Sequence, residues 1–199
     1  MAKRAFDVLL SAVGLVFSAP LWALIALAIR LEDGGPVFFS QPRVGRGGVP
    51  FRAYKFRSMV RGADRRTAAR AGDRDPRVTR VGRVLRATAM DELPQLWNIF
   101  RGDMSFVGPR PLMPGEIEAR DGRSIPLEAI AGYDARHSVR PGLTGLTQVF
   151  APRDIRRERK FRLDLIYVRR ASLWLDLRLV ALSFWITFRG RWEDRGSKL

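Results

Sequence analysis

The spacing of polar and apolar positions changes several times along this chain, and each change marks an element. Val8 to Ile29, "VLLSAVGLVFSAPLWALIALAI", carries no charge. As a helix it is long enough to cross the ~30 Å hydrocarbon core of a bilayer. Glu32-Asp33-Gly34-Gly35-Pro36 reads as a turn. Short apolar pieces punctuated by Gly and Pro follow, and Val37–Ser40 and Phe51–Phe56 are expected to be strands or extended loops. Val60 to Arg77 is polar, rich in Arg and Asp, and reads as a solvated helix or loop. Val78, Val81, Val84 and Leu85 then recur at helical spacing. Leu93, Leu96, Trp97 and Phe100 fall at i, i+3, i+4 and i+7, the signature of an amphipathic helix. "MSFVGPRP" predicts a short strand running into a stiff loop that carries Arg110, and "VRPGLTGLTQVF" is a second segment punctuated by Gly and Pro. Leu163 to Phe188 reads as helical, and Trp174, Trp185 and Trp192 are spaced along the C-terminal part as interfacial anchors are. A core-packed helix with ordinary aromatics fits that pattern equally well.

Charge decides among readings of the first apolar run. Lys3 and Arg4 precede it; Arg30, Arg43, Arg46, Arg52, Lys55 and Arg57 follow it. The positive-inside rule pulls both flanks to the cytoplasmic face, which a single span cannot satisfy and a re-entrant hairpin can. Pro20 would bend such a helix, and Ser18 is placed to satisfy a backbone group freed at the bend. A cleaved signal peptide would have a shorter apolar run without a proline. Asp7 is expected at the membrane interface beside Lys3 or Arg4, because a carboxylate in lipid is costly. The expected architecture is α+β: a membrane-embedded re-entrant helix over residues 1–31, and a small cytoplasmic domain with interfacial amphipathic helices over 32–199.

Composition narrows the chemistry. The 199 residues carry a net charge of +16 and no cysteine, and the hydrophobic fraction of 46% is enough for a packed core. Disulfides and thiolate chemistry are excluded. His137 stands alone, which argues against His-rich metal sites, and it is expected on the surface or in a loop. Asp73 and Asp75 read as turn and salt-bridge residues. The basic excess is nearly all arginine, whose forked donors match phosphate oxygens. A phosphorylated substrate, anionic lipid or nucleic acid is the implied partner.

Against this background, "AMDELPQLWNIF" places two acids side by side at Asp91 and Glu92. Pro94 is tolerated only in a helix's first turn, so the amphipathic helix must start near the acids. An acid there is commonly a cap. A second carboxylate, Arg80, Arg83 and Arg86 upstream, and Arg110 downstream favour phosphate chemistry instead. The helix dipole and the cations are expected to depress the pKa of Asp91, leaving it ionised and nucleophilic. Two carboxylates facing a pyrophosphate also suit Mg²⁺.

"KFRSM", "DPRVTRVGRVLR", "MDELPQLWNIFRGDMSFVGPRP" and "RPGLTGLTQV", in that order after an apolar segment, resemble the bacterial sugar transferases, monotopic phosphoglycosyltransferases that act on polyprenyl phosphate. The resemblance is to the small form of the family, little more than a catalytic core and lacking an extra N-terminal transmembrane bundle. It implies transfer of a sugar 1-phosphate from a UDP-sugar to polyprenyl (undecaprenyl) phosphate, with Mg²⁺, at the cytoplasmic face of the bacterial inner membrane. The step would initiate glycoconjugate or exopolysaccharide assembly and release UMP. Asp91 would be the nucleophile that forms a covalent sugar-phosphate intermediate, and Glu92 the metal partner. Lys55, Arg57, Arg86, Arg110 and Arg140 match positions associated with phosphate or nucleotide binding. Gln148, grouped with the substrate-binding positions, is given a mainly supporting part, as are Asp164 and Tyr167. The family often has Ser-Pro at its helix bend; here the pair is Ala19-Pro20, with Ser18 one place earlier. The resemblance leaves the sugar, the glycan pathway and the oligomeric state open. The competing readings are a membrane-anchored nucleic-acid-binding protein and a non-catalytic assembly scaffold. No nucleic-acid module is recognisable, and the acids sit inside the basic region, so nucleic acid is not expected as a partner.

Overall fold

The computed structural model describes residues 2–63, 75–120, 123–152 and 155–189. Much of the 60–77 segment, Asp73 and Trp192 therefore lie outside the described residues. The first element is α1, Ala2–Asp33, a helix that continues through Pro20. At 1.5 Å per residue it is about 48 Å long. It is the one helix among the described residues that is long and apolar enough to cross a membrane.

Strands β1 (Phe38–Val44) and β2 (Pro50–Phe56) form an antiparallel hairpin pairing Phe38 with Phe56 and Val44 with Pro50. Helix α2 spans Arg80–Ala87, with the Thr79 hydroxyl accepting the Gly82 N–H as its cap. A 3₁₀ turn, Met90–Glu92, leads to α3, Gln95–Arg101. Strand β3 (Ser105–Val107) is followed by an antiparallel hairpin of β4 (Ile117–Arg120) and β5 (Arg123–Pro126). Short helix α4 (Tyr133–Arg136) precedes β6 (Gly142–Thr144), which pairs parallel with β3. Helices α5 (Leu146–Phe150), α6 (Arg157–Arg170) and α7 (Leu173–Phe188) complete the described chain. The mixture of helix and strand agrees with the expected class.

Three apolar clusters hold these pieces together. Ile99, Met104, Val107, Val149, Tyr167, Leu179 and Ile186 form one, with Phe6, Leu10 and Leu15 of α1 packed on it. Ile25 and Ile29 of α1, Phe56 and Leu85 form a second. Leu112, Leu127, Ile130 and Phe161 form a third. Gly14 lets α1 approach α3, because a β-carbon there would lie 3.2 Å from Leu96.

Both ends of α1 are tied to the rest of the protein by polar contacts. Lys3 Nζ meets Asp176 at 2.6 Å and the Val107 carbonyl at 3.2 Å. Arg4 donates to the carbonyls of Ile99 and Phe100, at 2.6 and 2.7 Å. At the other end, Glu32 accepts the N–H groups of Arg80 (2.6 Å) and Val81 (3.1 Å), an acid on the N-terminus of α2. Asp33 pairs with the guanidinium of Arg57, Nη1 lying 2.7 Å from Oδ2.

Two expectations about α1 need correction. Asp7 is not at an interface beside Lys3 or Arg4; it is 1% exposed inside the protein. It accepts the Ser105 hydroxyl and the Phe106 N–H, each at 3.0 Å. With β6 bonded along the opposite side of β3, the Phe106 donor would otherwise be buried without a partner, so Asp7 takes the place of a neighbouring strand. Ser18 Oγ makes no hydrogen bond among the described residues. Ser11, one to two turns earlier, does bond the backbone, at the carbonyls of Asp7 (2.6 Å) and Val8 (3.1 Å). Asp75 bonds the N–H of Arg77 at 2.9 Å and its guanidinium at 2.6 Å, the turn and ion-pair role expected of it.

Candidate active site

Asp91 and Glu92 lie on the 3₁₀ turn between α2 and α3. Ala89, at φ 56°, takes the left-handed conformation that reverses the chain into this turn. Pro94 ends the turn, and α3 starts at Gln95. Neither the turn nor α3 has a side-chain cap, so Asp91 and Glu92 are not used as caps. Asn98 of α3 staples β2 alongside: its carbonyl oxygen accepts the Tyr54 N–H at 3.0 Å and its amide donates to the Arg52 carbonyl at 2.7 Å. That staple brings Lys55 to the carboxylates. Its ammonium lies 2.5 Å from Glu92 Oε1 and 3.6 Å from Asp91 Oδ2. Arg110 reaches the same Glu92 oxygen at 3.3 Å. Arg43, Lys55, Glu92, Gln95, Arg110 and Leu143 are among the residues lining a cleft beside the pair.

The two acids are charged differently by their surroundings. Asp91 is 8% exposed. Burial pushes its carboxyl up from the ordinary aspartate value, opposed by Lys55 and reinforced by Glu92. This reverses the expectation that the cations would depress it: desolvation outweighs a lysine that stands closer to Glu92. Burial acts in the same direction on Glu92, but Lys55, Arg110 and Arg43 outweigh it and bring that carboxyl down to about 2. Arg43 itself is lowered to about 10 by burial and by Arg110, so it remains a cation at neutral pH.

Of the residues singled out from sequence, the structure brings Asp91, Glu92, Lys55 and Arg110 together. Arg86 acts on Asp91 through its charge while donating to the Ser58 hydroxyl at 3.0 Å. Arg57 is engaged with Asp33. Arg140 donates to the Gly102 carbonyl at 2.8 Å, and Gln148 to the Gly108 carbonyl at 3.3 Å. Arg80 and Arg83 are exposed on α2. Sequence reasoning missed Arg43 and Gln95 as cleft residues. Arg43 sits in "QPRVGRGG", where a basic residue near a glycine turn looks like ordinary surface; only the hairpin pairing turns it inward. Gln95 follows Pro94 directly, and its place in the first turn of α3 was the available signal.

His137 also departs from expectation. It is 4% exposed, its ring edge-on to Tyr133 with centroids 4.5 Å apart, and its Nε2 is 3.0 Å from Arg136. Burial and the adjacent Arg136 charge lower its pKa to about 4, so the ring is neutral. The residue is buried because α4 turns it under the chain beside Arg136. Asp164 accepts from Arg136 (2.9 Å) and Thr147 (2.6 Å), and Tyr167 donates to Val107 O (2.9 Å) and Asp176 (2.8 Å). These are the supporting parts expected of both.

A family model described as bacterial sugar transferase matches residues 1–190. The chain belongs to this family. Among relatives of the bacterial sugar transferase, an undecaprenyl-phosphate glucose phosphotransferase of Komagataeibacter xylinus is 46% identical over 189 residues, covering 92% of this chain and 35% of the relative. A UDP-glucose:undecaprenyl-phosphate glucose-1-phosphate transferase of Caulobacter vibrioides is 45% identical over 186 residues, covering 90% of this chain and 67% of the relative. The exopolysaccharide production protein ExoY of Rhizobium meliloti is 40% identical over 195 residues, covering 90% and 82% respectively. The chain thus spans from about a third to about four-fifths of the length of these relatives.

No group of three or more His, Cys, Asp or Glu able to hold a metal occurs among the described residues of this sugar transferase. Magnesium does not need one, since it keeps several waters and takes one or two carboxylates plus substrate phosphate oxygens. A partly buried, ionised Glu92 next to Asp91 fits that donor chemistry.

Proposed function

We propose that this chain transfers a sugar 1-phosphate from a UDP-sugar to undecaprenyl phosphate, giving undecaprenyl-diphospho-sugar and UMP, and so initiates exopolysaccharide or glycoconjugate assembly. The observation that carries the reading is the pairing of a buried, weakly partnered Asp91 with an ionised Glu92 under Lys55 and Arg110. Family membership and the names of the relatives point to the same substrates.

In the first step, an Asp91 oxygen bonds to the sugar-bearing phosphorus. The bond from that phosphorus to the bridging oxygen breaks, and its electron pair leaves with UMP. In the second step, an oxygen of undecaprenyl phosphate attacks the same phosphorus, and the bond to Asp91 breaks to regenerate the carboxylate. Splitting the transfer in two lets a soluble and a lipid substrate react without meeting. Lys55, Arg110 and Arg43 hold the pyrophosphate, whose approach two carboxylates alone would oppose. Glu92, with Asp91 beside it, would hold Mg²⁺, which when bound neutralises charge developing on the phosphate oxygens.

The apolar surface supports a place at the membrane. Phe17 is 81% exposed, and Leu9, Val16, Leu24 and Leu31 of α1 are also exposed, as are Trp174, Phe184 and Trp185 of α7. In a soluble monomer so much exposed apolar surface would be unusual. The polar ties at both ends of α1 reach one folded body, which supports a helix that enters and leaves the bilayer on one face, with α7 lying along the interface. The basic surround supports a cytoplasmic setting for that face. Residues 1–31 form the membrane element in this reading, and 32–199 the catalytic part.

The test is UMP release by the full chain in lipid vesicles, using UDP-glucose and UDP-N-acetylgalactosamine with and without undecaprenyl phosphate. Sustained release that needs the lipid phosphate, stops on chelation and returns with Mg²⁺ is the expected result. A folded protein that turns over no UDP-sugar refutes the proposal.

A further inference from the structure

The loop Gly108–Leu112 carries Arg110 into the cleft, and its backbone is held at every carbonyl. Gly108 O accepts from Gln148 Nε2 (3.3 Å), Pro109 O from Gly142 N (2.9 Å) and Arg110 O from Arg136 Nη2 (2.7 Å). Pro111 O accepts from Arg43 (3.1 Å) and Leu112 O from Val44 N (2.9 Å). Pro109 and Pro111 fix φ on both sides of Arg110. The side chain it presents is half exposed, and the ion pair to Glu92 at 3.3 Å is its link to the carboxylates. The backbone is therefore set in place while the guanidinium stays available.

The pin at Arg110 itself is unusual. Arg136 is 2% exposed, among the largest fully buried side chains described. Its Nε is anchored to Asp164 on α6 at 2.9 Å; Asp164 is held in turn by the Thr147 hydroxyl at 2.6 Å. Its Nη1 lies 3.0 Å from His137 Nε2, and the Phe161 ring lies 4.8 Å from the guanidinium carbon. The His137 carbonyl accepts the Gly47 N–H at 2.7 Å, at the tip of the hairpin that carries Arg43 and Lys55. Apolar packing commonly supplies as much stability as a buried ion pair of this sort. The geometry specific to Arg136 is the alignment of its fork with one carbonyl, that of the residue whose side chain meets Glu92.

We infer that Arg136 is a positioning residue for the transfer reaction: through its bond to the Arg110 carbonyl it fixes the Arg110 guanidinium over the carboxylate pair where the substrate pyrophosphate is held. This rests on the proposed sugar-phosphate transfer. Lysine at 136 keeps the charge beside Asp164 and loses the fork, so it separates positioning from charge.

The test is a double-mutant cycle on UMP release by the full chain in vesicles. Arg110→Ala and Arg136→Lys should each lower kcat/KM for the UDP-sugar at least ten-fold. If Arg136 acts through Arg110, adding Arg136→Lys to Arg110→Ala should change the rate by less than two-fold. If Arg136→Lys does not fold, Asp164→Asn, which removes the charged anchor, replaces it in the cycle. Its loss of kcat/KM per folded molecule should likewise vanish in the Arg110→Ala background. Losses that multiply in either cycle, or an Arg110→Ala protein with normal kcat/KM, overturn the role of Arg136 and leave the transfer reading standing. A folded wild-type chain without turnover overturns both.

Discussion

The two buried acid–arginine regions of this protein are built from similar parts and finished differently. In the cluster behind the cleft, Asp164 accepts from Arg136 at 2.9 Å and from Thr147 at 2.6 Å, one bond to each oxygen. In the cleft, Asp91 is nearly as buried, yet its closest cation is Lys55 at 3.6 Å, and that lysine sits nearer to Glu92. Burial pushes the carboxyl pKa up in both. What differs is completion. A carboxylate bonded on both oxygens is a brace, whose free energy is spent on holding elements together. A carboxylate kept dry and under-bonded is a poor contributor to stability and a better nucleophile. The completed region also supports the incomplete one, because Arg136 spans from Asp164 to the backbone of Arg110.

The largest difference should appear when each acid becomes an amide. Asp91→Asn removes the nucleophile, and turnover should fall at least hundred-fold, ~3 kcal/mol or more of transition-state stabilisation. Stability should move the other way. A carboxylate whose folded pKa exceeds its unfolded value holds its proton more tightly when folded, so ionising it at neutral pH opposes folding. Asp91→Asn should therefore unfold at the same temperature as wild type or higher, measured at neutral pH. Asp164→Asn should show the reverse balance. Burial raises the Asp164 carboxyl as well, so removing its charge is favourable in itself; the buried Arg136 cation left without its anion outweighs that gain, and up to about 3 kcal/mol of stability should be lost in denaturant unfolding. The turnover of the molecules that remain folded should fall far less than in Asp91→Asn.

A smaller effect separates the regions by pH. His137 has a folded pKa of about 4, below its ordinary 6.5. Between those values the unfolded chain binds the proton and the folded one does not, so stability rises with pH by up to ~1.4 kcal/mol per unit. Acidification from pH 6.5 to 4 should destabilise the wild type, and His137→Gln should lose most of that slope. The cleft should respond in activity: turnover should fall with acid as Asp91 takes up its proton above the ordinary aspartate range. His137→Gln should leave the position of that activity transition in place.

Elements with a local signal were legible in the sequence. Pro94 limits where α3 can start, because a proline has few places in a helix, and this put a helix start at about Asp91 to Leu93; α3 in fact begins at Gln95, and the acids occupy a 3₁₀ turn just before it. Gly and Pro punctuation located both strands of the first hairpin, though β1 extends to Val44, beyond the expected Ser40. Contacts between distant residues were not legible. Arg136 and Asp164 are 28 positions apart, and Asp7 meets Phe106 across 99. No local periodicity encodes such pairs. The parallel pairing of β3 with β6 is of the same kind. The pKa of Asp91 was misjudged because the sequence shows the cations nearby, whereas desolvation depends on how closely the turn is packed.

The central claim is that Asp91 bonds covalently to the sugar phosphate, and mass spectrometry of the protein tests it most directly. Full-length protein incubated with UDP-sugar and Mg²⁺, without lipid phosphate, should release UMP in a single burst. It should gain the mass of one sugar phosphate on the peptide containing Asp91. Adding undecaprenyl phosphate should discharge that adduct, and Asp91→Asn should never form it. If UMP appears only when both substrates are present and rapid quenching traps no adduct, transfer is direct. Asp91 would then serve as a base and not as the nucleophile.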